Sequence, residues 1–151
     1  MKNVLILMGV CLSMALQAQH NSSEEEAVKT AVNQLFEGMH KGDSARTHAV
    51  FAEGAILQSV IQTKKGLRFE TETLGGFLNQ IATLPLGSKI EERLLSMDVR
   101  IDQYIAQVWT PYAFYVNGTL SHCGTNAFQL AKIDDQWKII HIVDTRRKNC
   151  D

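Results

Sequence analysis

The sequence predicts an α+β domain: N-terminal helices packed on a strongly curved antiparallel sheet that forms a cone-shaped pocket. Three observations predict it. Ala27, Val28, Ala31, Val32, Leu35, Phe36 and Met39 recur at the spacing of one helix face. From about Ile90 to the C-terminus the apolar period changes from helical to alternating, as strands require. Within that alternating region Asn117-Gly118 is the strongest short hairpin signal available. Helices first and a long meander after them give an α+β order.

The first residues, MKNVLILMGVCLSMALQAQ, have a positive start at Lys2, an apolar run from Val4 to Leu16, small Ala18 and then a polar switch. This is the layout of a secretory signal peptide, and the run is too short for a comfortable membrane span. The expected organisation is therefore a leader over 1–18, cleaved after Ala18, and a single domain over 19–151. Ser22 and Ser23 before Glu24, Glu25 and Glu26 suit a helix N-terminus with acids in its first turn. Gly42 ends that helix, and Asp43 can cap a second short one through about Phe51. Ala55 to Thr63 reads as a strand and Lys64-Lys65-Gly66 as a turn. Leu74, Phe77, Leu78 and Ile81 give a third helix, ended by the Pro85–Gly87 region. Asp134-Asp135 marks a turn before Trp137.

The 151 residues are 45% hydrophobic with a formal net charge of −1. That is enough chain for one buried core, and it offers no electrostatic footprint for nucleic acid. The leader predicts an exported protein, periplasmic or extracellular, with no membrane attachment after cleavage. Cleavage removes Cys11 and leaves Cys123 and Cys150, which an oxidising compartment invites to pair.

Four stretches, GDSARTHAVFAEGAIL, VWTPYAFYVNG, SHCGTNAFQL and WKIIHIVDTRR, carry a resemblance. Together with the helices they resemble the nuclear transport factor two-like (NTF2-like) superfamily, the SnoaL-like cone fold that also houses polyketide cyclases and ketosteroid isomerase. The nearest match is its exported bacterial branch, labelled "putative lumazine-binding". The resemblance implies a cone with a small-molecule pocket, and a second subunit against the outer sheet face. It does not choose between enzymes, binders and scaffolds.

Alternation along strands then sorts side chains by face. A two-residue loop at Asn117-Gly118 pairs Val116 with Thr119, hence Trp109 with Asn126 and Gln107 with Phe128. Pairing Asp134 with Trp137 sets Phe128 against Val143 and Leu130 against His141. The inward face is expected to carry Ile105, Gln107, Trp109, His122, Asn126, Phe128, Leu130, Trp137, Ile139, His141 and Val143. The outward face is expected to carry Val108, Thr110, Tyr112, Phe114, Cys123, Thr125, Ala127, Ile140, Ile142, Asp144 and Arg146, with Asp144 and Arg146 as an ion pair or dimer contact. Pro111 is a possible bulge that would invert its strand beyond that point.

On this map His122 and His141 share a face but lie eight positions apart, roughly 26 Å, so they do not form a metal site. Cys123 points away from the imidazoles and is not a nucleophile. It is expected instead to bond Cys150, with which it shares a face. For acid–base chemistry the acid to consider is Asp98. A two-residue loop at Asp102-Gln103 turns it inward beside Gln107. A three-residue loop over Asp102 to Tyr104 turns it outward and buries Leu95, Met97, Val99 and Ile101, each worth about 1.5–3 kcal/mol. The second register is expected.

The reading from sequence is a secreted, non-catalytic homodimer that binds a small apolar or aromatic molecule through Trp109, Asn126, Phe128, His141, Gln107 and His122, with no cofactor. An isomerase or cyclase using His141 or Asp98 as base is the first alternative, and a dimeric scaffold domain the second.

Overall fold

A computed structural model describes residues 2–150, with side chains from Ser22 onward. The leader expected over 1–18 lies outside the residues whose side chains are described. Helix α1 spans Lys2–Lys41, α2 Ser44–Ala49, β1 Phe51–Thr63, β2 Gly66–Thr73 and α3 Leu74–Ala82. Strands β3 Ile90–Leu94, β4 Asp98–Asp102, β5 Ile105–Val116, β6 Thr119–Ile133 and β7 Gln136–Arg146 complete the chain. The order is the expected one, except that α1 runs through Ser22 and Ser23 without a break.

Local chemistry explains the element ends. Gly42 takes φ 67°, the left-handed conformation that closes α1. Asp43 then caps α2, its Oδ1 accepting the Arg46 N–H at 2.9 Å. Thr73 caps α3 in the same way, accepting from the Gly76 N–H at 3.1 Å.

The seven strands form one sheet in the order β2-β1-β7-β6-β5-β3, with β4 also paired to β5. It is mixed rather than antiparallel throughout, because β1 and β7 run parallel. The chain leaves β1 by a hairpin, crosses through α3, and returns to β1 only with its last strand. Every other pairing is antiparallel.

Helix α1 lies against the inner face. Its Val28, Val32, Leu35 and Phe36 are buried with Val108, Phe128, Leu130 and Ile139 in one core. Phe36 meets Phe128 edge to face, centroids 6.1 Å apart. Glu24 ties the helix to the β6–β7 turn, accepting from Trp137 Nε1 at 2.9 Å and from Lys132 Nζ at 2.8 Å. At the other end His40 Nε2 accepts the Glu92 backbone N–H at 2.8 Å, which fastens α1 to β3.

Two bulges decide which residues look into the cone. The Asn117-Gly118 loop does pair Val116 with Thr119, but β6 carries one extra residue at Ser121, so Phe114 pairs with His122 and Trp109 with Ala127. One extra residue inverts the relation between the two strands. In β7, Gln129 pairs with His141 and Leu130 with Ile139, so Ile140 is extra and the strand beyond it inverts as well. The inward face is therefore Ala106, Val108, Thr110, Tyr112 and Phe114 on β5, His122, Asn126, Phe128 and Leu130 on β6, and Trp137, Ile139, Ile142, Asp144 and Arg146 on β7. Burial agrees: Tyr112 is 2% exposed and Trp109 52%.

Pro111 stays in register opposite Thr125. It sits where β5 changes partner from β4 to β3, and its carbonyl accepts the Leu95 N–H at 2.9 Å. Its missing N–H thus falls at a break in the neighbouring edge and costs no ladder bond. The β4–β5 loop pairs Asp102 with Ile105 and Asp98 with Trp109. This differs from both expected registers, yet Asp98 is exposed while Met97, Val99 and Ile101 pack against the core. The shift of one residue and the inversion of β5 cancel. Leu95, expected inside, is exposed.

Candidate functional site

Between the helices and the sheet lies an open cavity of about 800 Å³. Leu35, Phe36 and Met39 of α1, Phe77, Ile81 and Leu84 of and after α3, and Leu57, Phe114, Phe128 and Ile142 of the sheet give it apolar walls. Polar groups gather at one end: Ser59, Glu70, Glu72, Glu92, Tyr112, His122, Asn126, Asp144 and Arg146. An apolar chamber with a few convergent polar groups is the usual form of a small-molecule site.

Asp144 organises that end. Arg146 reaches it through Nε at 2.8 Å and Nη2 at 3.3 Å. Ser59 donates its hydroxyl to Oδ1. The Tyr112 hydroxyl lies 3.1 Å from Oδ2 and 2.9 Å from the Thr145 carbonyl, both acceptors for its proton. With donors around both oxygens, Asp144 is a structural anchor for Arg146 and Tyr112 rather than a free base. Burial, and then the charges of Asp144 and Glu92, push the Tyr112 phenol well above its usual range.

Gly124 permits this arrangement. A Cβ there would lie 1.7 Å from the Thr145 carbonyl oxygen and 2.9 Å from the Tyr112 ring. Only a residue without one lets the Tyr112 ring and the β7 backbone approach so closely.

Glu92 is different. Asn126 donates from Nδ2 to its Oε1 at 2.6 Å, while Oε2 accepts no hydrogen bond among the described residues. The carboxyl lines the cavity. Burial pushes it up to about 7, against the opposing hydrogen bond from Asn126 and helped by the charge of Asp144. His122 stacks on Phe114 with centroids 4.8 Å apart, and burial followed by the nearby Arg146 charge lowers its pKa, which favours the neutral ring. Glu72 is raised by burial first and then by Glu70 and Asp144, while Arg146 opposes the rise.

The residues expected at the site divide. Asn126, Phe128 and His122 line the cavity. Trp109 and Gln107 do not: they lie outside the cone, in a shallow surface cleft with Asp98 and Arg100. His141 is also outside the cone, with Nε2 3.0 Å from Gln58 Oε1. Neither Asp98 nor His141 is in position to act as a base within the cavity. Asp144 and Arg146, expected outside, are inside and in contact. Glu92, Tyr112, Phe114 and Ser59 are further lining residues that reasoning from sequence did not assign to the cavity. Cys123 and Cys150 are bonded, Cα atoms 5.7 Å apart, and hold the chain end against the outer face of β6.

This geometry, helices laid across a bent sheet with a chamber between them, is shared with known proteins. A family model described as "Putative lumazine-binding" matches residues 23–143, and the chain belongs to that family. Solved structures agree on the fold. An NTF2-like protein of unknown function from Shewanella baltica has 16% identity over 85% of this chain and 97% of its own, with TM-score 0.62. A protein from Streptomyces avermitilis described as a "putative dehydratase" of the NTF2-like family has 16% identity over 85% and 99%, TM-score 0.66. The β subunit of a "putative aromatic-ring-hydroxylating dioxygenase" from Novosphingobium aromaticivorans has 6% identity over 86% and 93%, TM-score 0.68. No curated protein matches the chain. At these identities the likeness is one of fold.

Proposed function

We propose that this chain is an exported binding protein for a small ring compound held inside the cone. The observation that supports this most is the chamber of about 800 Å³ with apolar walls and one polar end. That shape suits a fused-ring molecule whose apolar body lies against Phe36, Phe77 and Phe128 while a polar edge meets Glu92 and Asn126. A heterocycle of the kind in the family's description has such an edge. The Cys123–Cys150 bond fits export. So does the leader-like N-terminus, whose removal would leave Ser22 and Ser23 to begin the first helix. A thermal-shift screen of neutral fused-ring compounds tests the reading. Hits that raise the melting temperature in the natural protein and vanish in Leu84→Trp, which narrows the chamber, support it. Hits that survive that substitution bind elsewhere and count against it.

One observation favours a second reading, proton-transfer catalysis. Burial pushes Glu92 up to about 7 at the polar end of the chamber, and an acid–base catalyst works best near the ambient pH. It takes the place that Asp98 and His141 cannot fill. Exchange of deuterium from solvent into the carbon beside a bound ketone's carbonyl, lost in Glu92→Gln, is the expected signature. Exchange no faster than in buffer argues for binding alone.

A further inference from the structure

We infer that the ligand the cone selects is a cation, with a protonated nitrogen seated against Glu92. The inference rests on the reading of the cone as a ligand chamber and deepens it.

It begins with the balance of charge. Four carboxyl groups, Glu70, Glu72, Glu92 and Asp144, line the cavity, against one permanently charged cation, Arg146. Arg146 is already held by Asp144 through two hydrogen bonds, and its charge is largely offset there. The other basic groups nearby do not restore the balance. His40 receives a backbone N–H at Nε2, so that nitrogen carries no proton. His122 has its pKa lowered by burial. Lys148 is turned to the Ser121 carbonyl at 2.6 Å. Arg68 meets Glu70 at 3.0 Å on the exposed edge of the sheet and offsets that one carboxyl, which leaves Glu72 and Glu92 without a paired cation among the described residues.

A carboxylate ligand entering this chamber meets like charges, with no free cation among the described residues to receive it. An ammonium or amidinium group meets an acceptor. Glu92 lines the cavity; Asn126 donates to its Oε1, and its Oε2 has no donor among the described residues. A cation at Oε2 completes the hydrogen bonding of the half-buried carboxyl and supplies the opposite charge it lacks. Phe114 and Phe128 on the inner sheet face offer ring surface for the carbon body and for the cation itself. Because its surroundings keep Glu92 partly protonated near neutral pH, binding a cation there releases that proton. The inference therefore carries a linkage signature that apolar contact alone would not produce.

Three ligands of one shape separate the possibilities by isothermal titration: naphthylmethylamine, naphthylmethanol and naphthoate. The expected result is that the amine binds at least about tenfold more tightly than the alcohol and naphthoate is the weakest. Glu92→Gln should bring the amine down to the alcohol. A second measurement needs no variant. In the natural protein the amine's affinity should climb from about pH 5.5 to about pH 8 while the alcohol's stays flat, with protons released on amine binding at about pH 6. Alcohol binding with no advantage for the amine overturns the inference and leaves the ligand chamber standing. Naphthoate binding most tightly overturns it in favour of Arg146 as the anchor. Failure of all three overturns both the inference and the chamber reading on which it rests.

Discussion

Glu92 places a carboxyl where water is scarce, and its cost to folding has a definite pH window. Its pKa in the folded chain, about 7, lies above the ordinary 4.5. A raised carboxyl stabilises the fold relatively when both states are protonated, and that advantage is lost as pH rises from about 4.5 through about 7. At about 1.4 kcal/mol for each pH unit, the loss is at most about 3.5 kcal/mol. Glu92→Gln keeps an acceptor for Asn126 and never ionises. It should therefore raise the denaturation midpoint at about pH 8 and leave it nearly unchanged at about pH 4.5. Equal effects at both pH values would show that Glu92 is not held in a desolvated place. Asp144, a few residues away across the sheet, has the opposite character: surrounded by Ser59, Tyr112 and Arg146, it is satisfied where Glu92 is open. Two carboxyl groups in one chamber thus take two roles, one structural and one available to a ligand.

The joint between α1 and β3 depends on the protonation of one imidazole. His40 Nε2 accepts from the Glu92 backbone, and burial lowers the His40 pKa from the ordinary 6.5. A group whose folded pKa is depressed contributes stability above its unfolded value, and that contribution is lost as pH falls through the folded one. Stability from this joint should decline as pH drops below about 6.5. His40→Gln retains an acceptor without a titration, so the acid side of its stability profile should be flatter than that of the natural protein; an identical slope would remove His40 from the joint. Among the elements, the helices, the Asn117-Gly118 loop and the core face of β6 were legible in the sequence, because each rests on local spacing and turn chemistry, whereas the β4–β5 and β6–β7 loops close at other residues than expected, with Trp137 opposite Lys132 rather than Asp134. The inward face of β5 and the far half of β7 were not. Their orientation depends on extra residues at Ser121 and Ile140, and neither position carries a glycine or proline to announce a bulge. The consequence fell on function: Trp109 and His141 were expected within the cone, while Tyr112, Asp144 and Arg146 were expected outside it. Glu92 lies on a short strand after an irregular turn, where five residues of β3 show too little periodicity to assign a face.

At the scale of the molecule, the face turned away from the helices is the remaining apolar surface. Trp109, Ile105, Ile56 and Phe69 are all exposed and all sit on that outer side. We propose that a second copy of the chain covers it, since several large apolar side chains set along one exposed sheet face suit an interaction surface. Light scattering in line with gel filtration should give the mass of two chains, and Trp109→Glu should give that of one. A single-chain mass for the natural protein would refute the dimer. The parallel β1–β7 junction closes the inner sheet from β2 to β3 and brings Ser59 beside Asp144. Long-range pairing between the first and last strands thus completes the polar end of the chamber, so the site forms only when the whole domain does.

Central to the site is a half-buried carboxyl, raised by its surroundings, at the polar end of the chamber. Carbon-13 NMR of the Glu92 side-chain carboxyl, followed through a pH titration of the folded protein, measures that most directly. A midpoint near about 7 is the predicted result; a midpoint between about 4 and about 5, as for a carboxyl in water, would contradict it.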